Sequence, residues 1–201
     1  MSASLYCKNY PVPAVNKKEA LRFAFCAQAD AEVELLFDSC MREMAPCLSC
    51  KVCYAEFPVN LKGNLIDLGF TCVESADLAK NLAGCERIVL FAATVGAGVD
   101  RLIAKYSRVS PAKAHMLQAL GSERVESLCD VFCEEIAKNA AERGFSVRPR
   151  FSPGYGDLEL ALQTQIFQTL DIKRNLGVSL NESLLMFPSK SVTAIVGLKK
   201  I

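Results

Sequence analysis

The residues best suited to chemistry lie together in SVRPRFSPGYGDLEL, positions 146–160. Arg148 and Arg150 alternate as neighbours on one strand face would, and Pro153, Gly154 and Tyr155 demand a turn. Gly154 is free to take positive φ and expose backbone amides. An arginine fork beside such a turn suits a carboxylate bidentately, and Asp157 is placed to receive an ammonium group. The combination fits a zwitterionic ligand that carries a ring. An ordinary turn with solvent-facing arginines is the competing reading.

Two further stretches bear on function. CMREMAPCLSCKVC brings Cys40, Cys47, Cys50 and Cys53 into a C-x2-C-x2-C run with a fourth thiol upstream, the type of spacing that feeds an iron–sulfur cluster. Against it, Cys53 sits in strand-like KVCYAEF, and no glycine helps three sulfurs turn inward; a zinc site lacks a second clear C-x2-C pair. Buried free thiols explain the run as well. VLFAATVGAGVDRLI places Gly96 and Gly98 between a strand and a helix, as in a dinucleotide-binding turn. Its third glycine position holds Arg101 and no second strand follows, so a tight strand-to-helix turn accounts for the glycines. The lone histidine, His115, lies in helical sequence, away from all three stretches.

The elements that must position these residues follow from periodicity. KKEALRFAF and AEVELLFDSCMREM read as an N-terminal helical pair closed by Pro46. CKVCYAEFPV reads as a strand, NLKGNLIDLGF as a turn-rich strand pair, and SADLAKNLAG as a helix capped by Ser75 with Gly84 past its end. RIVLFAATV is continuously apolar, the pattern of a strand covered on both faces. A helix from Ser110–Pro111 to Gly144 carries Val125, Leu128, Phe132, Ile136 and Ala140 on one stripe, with Gly121 as a place to bend or divide. LELALQTQIFQTLDIKR is a further helix, and SVTAIVGL alternates like a strand. The pattern is α+β, with helices packed around a twisted, largely antiparallel sheet.

With 201 residues and 51% hydrophobic content the chain can bury a sizeable core. Lys and Arg total 23 against 22 Asp and Glu, so no net field favours nucleic acid or an anionic membrane. The start lacks a signal-peptide pattern and the longest apolar run is too short to span a bilayer, so the expectation is a cytoplasmic chain. Its ten cysteines are then expected as thiols or ligands.

RFSPGYGD at 150–157, followed by LNESLLMFPSKSVTAIVG at 180–197, resembles the activation domain of cobalamin-dependent methionine synthase. Arg150, Pro153, Gly154 and Tyr155 match the family's R-x-x-P-G-Y segment. Glu182, Ser183, Met186, Pro188, Ser191 and Val192 match its T-E-S-x-x-M-x-P-x-x-S-V segment, in the same order and spacing. The C-terminal half is similar throughout, the N-terminal half loosely. The resemblance implies one activation-type domain over 1–201, with a helical and strand part at 1–84 and an S-adenosylmethionine-binding core at 85–201. It implies methyl transfer from S-adenosylmethionine that rescues cob(II)alamin, the cobalamin being supplied in trans by a methionine synthase or other corrinoid protein. A flavodoxin-like donor would supply the electron. Arg150 and the backbone of Ser152, Pro153, Gly154 and Tyr155 would hold the ligand, with Ser189, Lys190 and Ser191 in the neighbouring loop. Longer members have an acid for the ligand ammonium and an aromatic beyond the last strand. Here Asp157, Glu126 or Asp130 would stand in for the acid, and the chain stops at Ile201. Two other readings stay open: a docking module for a corrinoid or redox partner without a ligand, and an iron–sulfur or thiol protein.

Overall fold

The computed structural model describes residues 4–26 and 30–201. Strands β1 (Leu5–Asn9), β2 (Lys51–Pro58), β6 (Cys85–Thr94), β7 (Phe145–Val147) and β10 (Ser191–Lys200) form one sheet in the order β1-β2-β6-β10-β7. Every neighbouring pair in it is antiparallel. Strand β6 is apolar from Ile88 to Ala93 because each face there meets a separate core: Val89, Phe91 and Ala93 point into one and Ile88, Leu90 and Ala92 into the other.

Helices α1 (Lys17–Phe23), α2 (Ala31–Met44), α4 (Gly98–Tyr106) and α5 (Pro111–Glu142) cover the first face, where Phe132 packs on Phe91 with ring centroids 4.7 Å apart. The second face is covered by α3 (Ala76–Asn81), α6 (Leu162–Thr169), α7 (Ile172–Leu176) and a small sheet of β3 (Asn60–Lys62), β4 (Leu65–Asp67) and β5 (Cys72–Glu74). A two-stranded piece, β8 (Ser179–Leu180) with β9 (Met186–Phe187), precedes β10. The α+β class and the antiparallel sheet are as expected from the sequence.

The N-terminal helical pair, the Ser75 cap and the long helix are present. Ser75 Oγ accepts from Leu78 N at 3.0 Å. Helix α5 runs through Gly121 without dividing; a Cβ there would stand 2.9 Å from Val99 and 3.0 Å from Lys190, so close packing explains the glycine. The helix expected over 158–174 is shorter and split. Leu158 is held in the turn, its carbonyl accepting from Gly154 N, and Asp171, at φ 43°, separates α6 from α7. Strand β1 is an addition: all five of its residues are exposed, so no apolar alternation marks it. No helix among the described residues is long and apolar enough to cross a membrane.

Candidate functional site

Where β7 ends, the chain changes which face it presents. Val147 stands opposite Leu198 in β10, but Phe151 stands opposite Ile195, so one extra residue is inserted. Such a bulge turns later side chains to the other face. Arg148 and Arg150 therefore diverge, contrary to the shared face expected of alternate strand positions. Arg148 reaches the second-face core and donates to the Ala83 carbonyl at 3.1 Å. Arg150 reaches α5, donating through Nη1 to Asp130 (2.5 Å) and through Nη2 to Glu126 (2.6 Å). Glu126 and Asp130 are one helical turn apart and form a two-pronged acceptor. Burial opposes the Arg150 charge, but the hydrogen bond to Asp130 and the nearby carboxylates outweigh it and hold the guanidinium pKa above its usual range.

Gly154 takes φ 89°, as the turn requires. Its amide is not exposed for a ligand as expected: it donates to Leu158 O at 2.8 Å, and Tyr155 N donates to Ser152 O at 3.2 Å. The turn projects the Tyr155 ring, 68% exposed, between two adjoining clefts. One, of about 430 Å³, runs from Arg150, Phe151, Ser152 and Pro153 across Gln163 and Met186 to Ser191, Val192 and Thr193 of β10. The other, of about 510 Å³, lies between α1 and α5; Glu126, Arg150 and Tyr155 belong to both.

Gln163 is a cleft residue that sequence reasoning missed. It is 5% exposed, yet its Oε1 has no hydrogen-bond partner among the described residues. A buried acceptor without a partner costs free energy, so this atom suits a ligand donor. Its signal in sequence was a polar residue beside Leu162 and Ile166 on the buried side of a helix.

A buried ion pair holds the second cleft's wall. Glu123 and Arg124, each 1% exposed, lie side by side on α5. Glu123 accepts from Asn16 N (2.9 Å) and Ser127 Oγ (2.6 Å), while Arg124 donates to the Pro13 and Ala14 carbonyls (2.7 and 3.1 Å). These bonds satisfy both charges and fix the backbone that enters α1. His115 fastens the other end of α1, its Nε2 lying 3.1 Å from the Ala24 carbonyl.

Of the residues expected at the site, Arg150, Ser152, Pro153, Tyr155 and Ser191 line one cleft together with Glu126. Asp157 belongs to neither wall. Its carboxylate accepts from Ser75 Oγ, from Ala76 N (2.7 Å) and from Asp77 N (3.2 Å), bonds that lower its pKa and hold the start of α3. Ser189 N donates to Asp100 of α4, and Lys190 Nζ donates to Ser122 Oγ at 3.0 Å in a site whose burial lowers the lysine pKa. Both turn away from the cleft, while Ser191 Oγ lies 2.8 Å from Pro188 O and 2.9 Å from Thr94 Oγ1.

Neither of the other two stretches assembles a site. Cys40 and Cys50 lie in the first-face core, Cys53 in the second, and Cys47 Sγ donates to Glu43 O at 3.4 Å. Among the described residues, no group of three or more His, Cys, Asp or Glu is placed to hold a metal ion. At Gly98 a Cβ would stand 2.2 Å from the Cys47 carbonyl oxygen, which accounts for the glycine by close packing.

Comparison with curated protein sequences gives no match. The fold is that of a solved MetH reactivation domain, a structure described as bound to AdoHcy: TM-score 0.74, 14% identity, covering 96% of this chain and 78% of that one. Residues 72–200, which include both motif segments and the cleft they line, match the family model of the vitamin B12-dependent methionine synthase activation domain, and the chain belongs to that family.

Proposed function

We propose that this chain binds S-adenosylmethionine in the cleft around Arg150 and supports the reductive methylation of a corrinoid that a partner protein holds in its cob(II) state. The observation that carries the reading is the cleft itself, in which Arg150, Tyr155, Ser191 and Gln163 converge, the last with an Oε1 that has no partner among the described residues. Family membership and a fold shared with a domain described as AdoHcy-bound support it.

S-adenosylmethionine, when bound, supplies an activated methyl group. The chain's own task is to bind, orient and exclude water. Arg150 would take the ligand carboxylate in exchange for Glu126, and the released Glu126 would take the ligand ammonium. Every charge then keeps an opposite partner, and a zwitterion is favoured over an anion. Gln163 would receive a donor from the ligand, and the Tyr155 ring would lie against it. Tyr155, Leu185 and Phe187, all more than half exposed, border this region and give a corrinoid protein an apolar seat. The electron would come from a flavodoxin-like donor acting on the partner.

Calorimetric titration with S-adenosylmethionine tests the reading. Wild type is expected to bind saturably and Arg150→Ala to lose at least tenfold in affinity, on the order of 1.5–3 kcal/mol for hydrogen bonds to a charged group. Its circular dichroism and thermal midpoint should be retained. Wild-type affinity in Arg150→Ala would remove the cleft from consideration.

A further inference from the structure

Two thiols outside the cleft face each other across the edge of the main sheet. Cys7 of β1 stands directly opposite Cys53 of β2. Tyr10 N donates to Cys50 O at 2.9 Å, which makes Tyr10 and Cys50 a hydrogen-bonded pair in the same register. Hydrogen-bonded and non-hydrogen-bonded pairs alternate along an antiparallel ladder. Lys8–Val52 is therefore hydrogen-bonded, and Cys7–Cys53 is a non-hydrogen-bonded pair, whose Cα atoms stand about 4.5 Å apart with the side chains on the same face. That separation falls within the roughly 4.4–6.8 Å that a disulfide spans without backbone movement. Cys53 is buried in the second-face core, whereas Cys7 is exposed. One member of the pair is open to solution and the other is within its reach.

From this geometry we infer that Cys7 and Cys53 form a redox modification site, closing to a reversible cross-strand disulfide when a low-molecular-weight disulfide is present. The Cys7 thiolate attacks one sulfur of the small disulfide, forms a mixed disulfide and releases one small thiol. Cys53 then attacks the Cys7 sulfur and releases the second. The two cysteines together lose two protons and two electrons, and the small disulfide gains both as two thiols. Closure fastens β1, which the sheet otherwise holds by its ladder, the Tyr6–Tyr54 stack and the Lys8–Glu135 pair. It also tethers the start of the 10–16 segment that Glu123 and Arg124 hold at its far end. Burial, with Cys7 and Asp171 acting in the same direction, pushes the Cys53 thiol up to about 12, so closure is slow at neutral pH and speeds up as pH rises.

The test is incubation of the full chain with oxidised glutathione, followed by peptide mapping without reduction. Wild type is expected to yield a peptide linked through Cys7 and Cys53, with no glutathione left on Cys7, and dithiothreitol should reverse it. Cys53→Ala is expected to retain glutathione on Cys7. The wild-type thermal midpoint should rise by roughly 5–10 °C on closure. Cys7→Ser, altered only at an exposed position, should keep its reduced-state midpoint and show no rise. Retention of glutathione on Cys7 in wild type, or linkage of Cys53 to any other cysteine, overturns the proposal.

Discussion

Arg150 carries a charge that Glu126 and Asp130 already balance, and it is this pairing that the proposed zwitterionic ligand would enter by exchange. Sequence alone marked Arg150 and offered Glu126 and Asp130 beside Asp157 as acids; only the structure separates them, because Asp157 is turned to the start of α3. Gln163 gives a sharper test of the cleft. Replacing it with Leu removes a buried acceptor without opening a large cavity, and is expected to weaken S-adenosylmethionine about tenfold while leaving stability level or slightly raised. Unchanged affinity by calorimetry would place the ligand elsewhere. Arg124 tests the opposite case, a buried charge with every partner in place. Arg124→Ala leaves Glu123 uncompensated and should cost about 3–5 kcal/mol in urea unfolding. A loss below about 1 kcal/mol would mean that the pair does not anchor the segment entering α1.

Among the elements, the long periodic ones were legible and the irregular ones were not. Helix α5 shows its apolar stripe over many turns, and β6 shows its two cores as an unbroken apolar run. The bulge between β7 and Phe151 leaves no such trace, since one inserted residue reverses the facing of every side chain after it. Helix α3 joins the two kinds of evidence: Ser75 was readable as its cap, but the Asp157 carboxylate that braces the same end comes from far along the chain. Ser75→Ala should lower stability by about 1 kcal/mol through the lost cap, measured as a shift in the denaturant midpoint with an unchanged slope. No shift would mean that the neighbouring Asp157 bonds hold this helix end without it.

At the scale of the whole molecule, ion pairs tie α5 to distant elements, and their pH dependence has a definite sign. Hydrogen bonds from Lys113 to Glu43, from Arg143 to Glu56 and from Lys8 to Glu135 lower the three carboxylate pKa values. The unfolded chain binds more protons at these sites than the folded one just below the ordinary glutamate value of about 4.3. Their contribution is thus fully present above that value and is lost as pH falls through the lower folded-state values. The thermal midpoint should accordingly decline below about pH 4.3. Glu56→Gln should start lower at pH 7 and lose less on acidification; parallel curves for the two proteins would show that Glu56 adds nothing. What the sequence determined by itself was whatever is written locally or in order along the chain: the helices with a repeating apolar face, the doubly covered strand, the Ser75 cap and the two motif segments with their spacing. Only the tertiary structure decided that Arg148 and Arg150 part company, that Gln163 Oε1 finds no hydrogen-bond partner among the described residues, that Lys190 turns inward and that Cys7 meets Cys53. Each of those depends on register or on a contact between residues far apart in sequence, and such contacts are set by the packing of the whole chain.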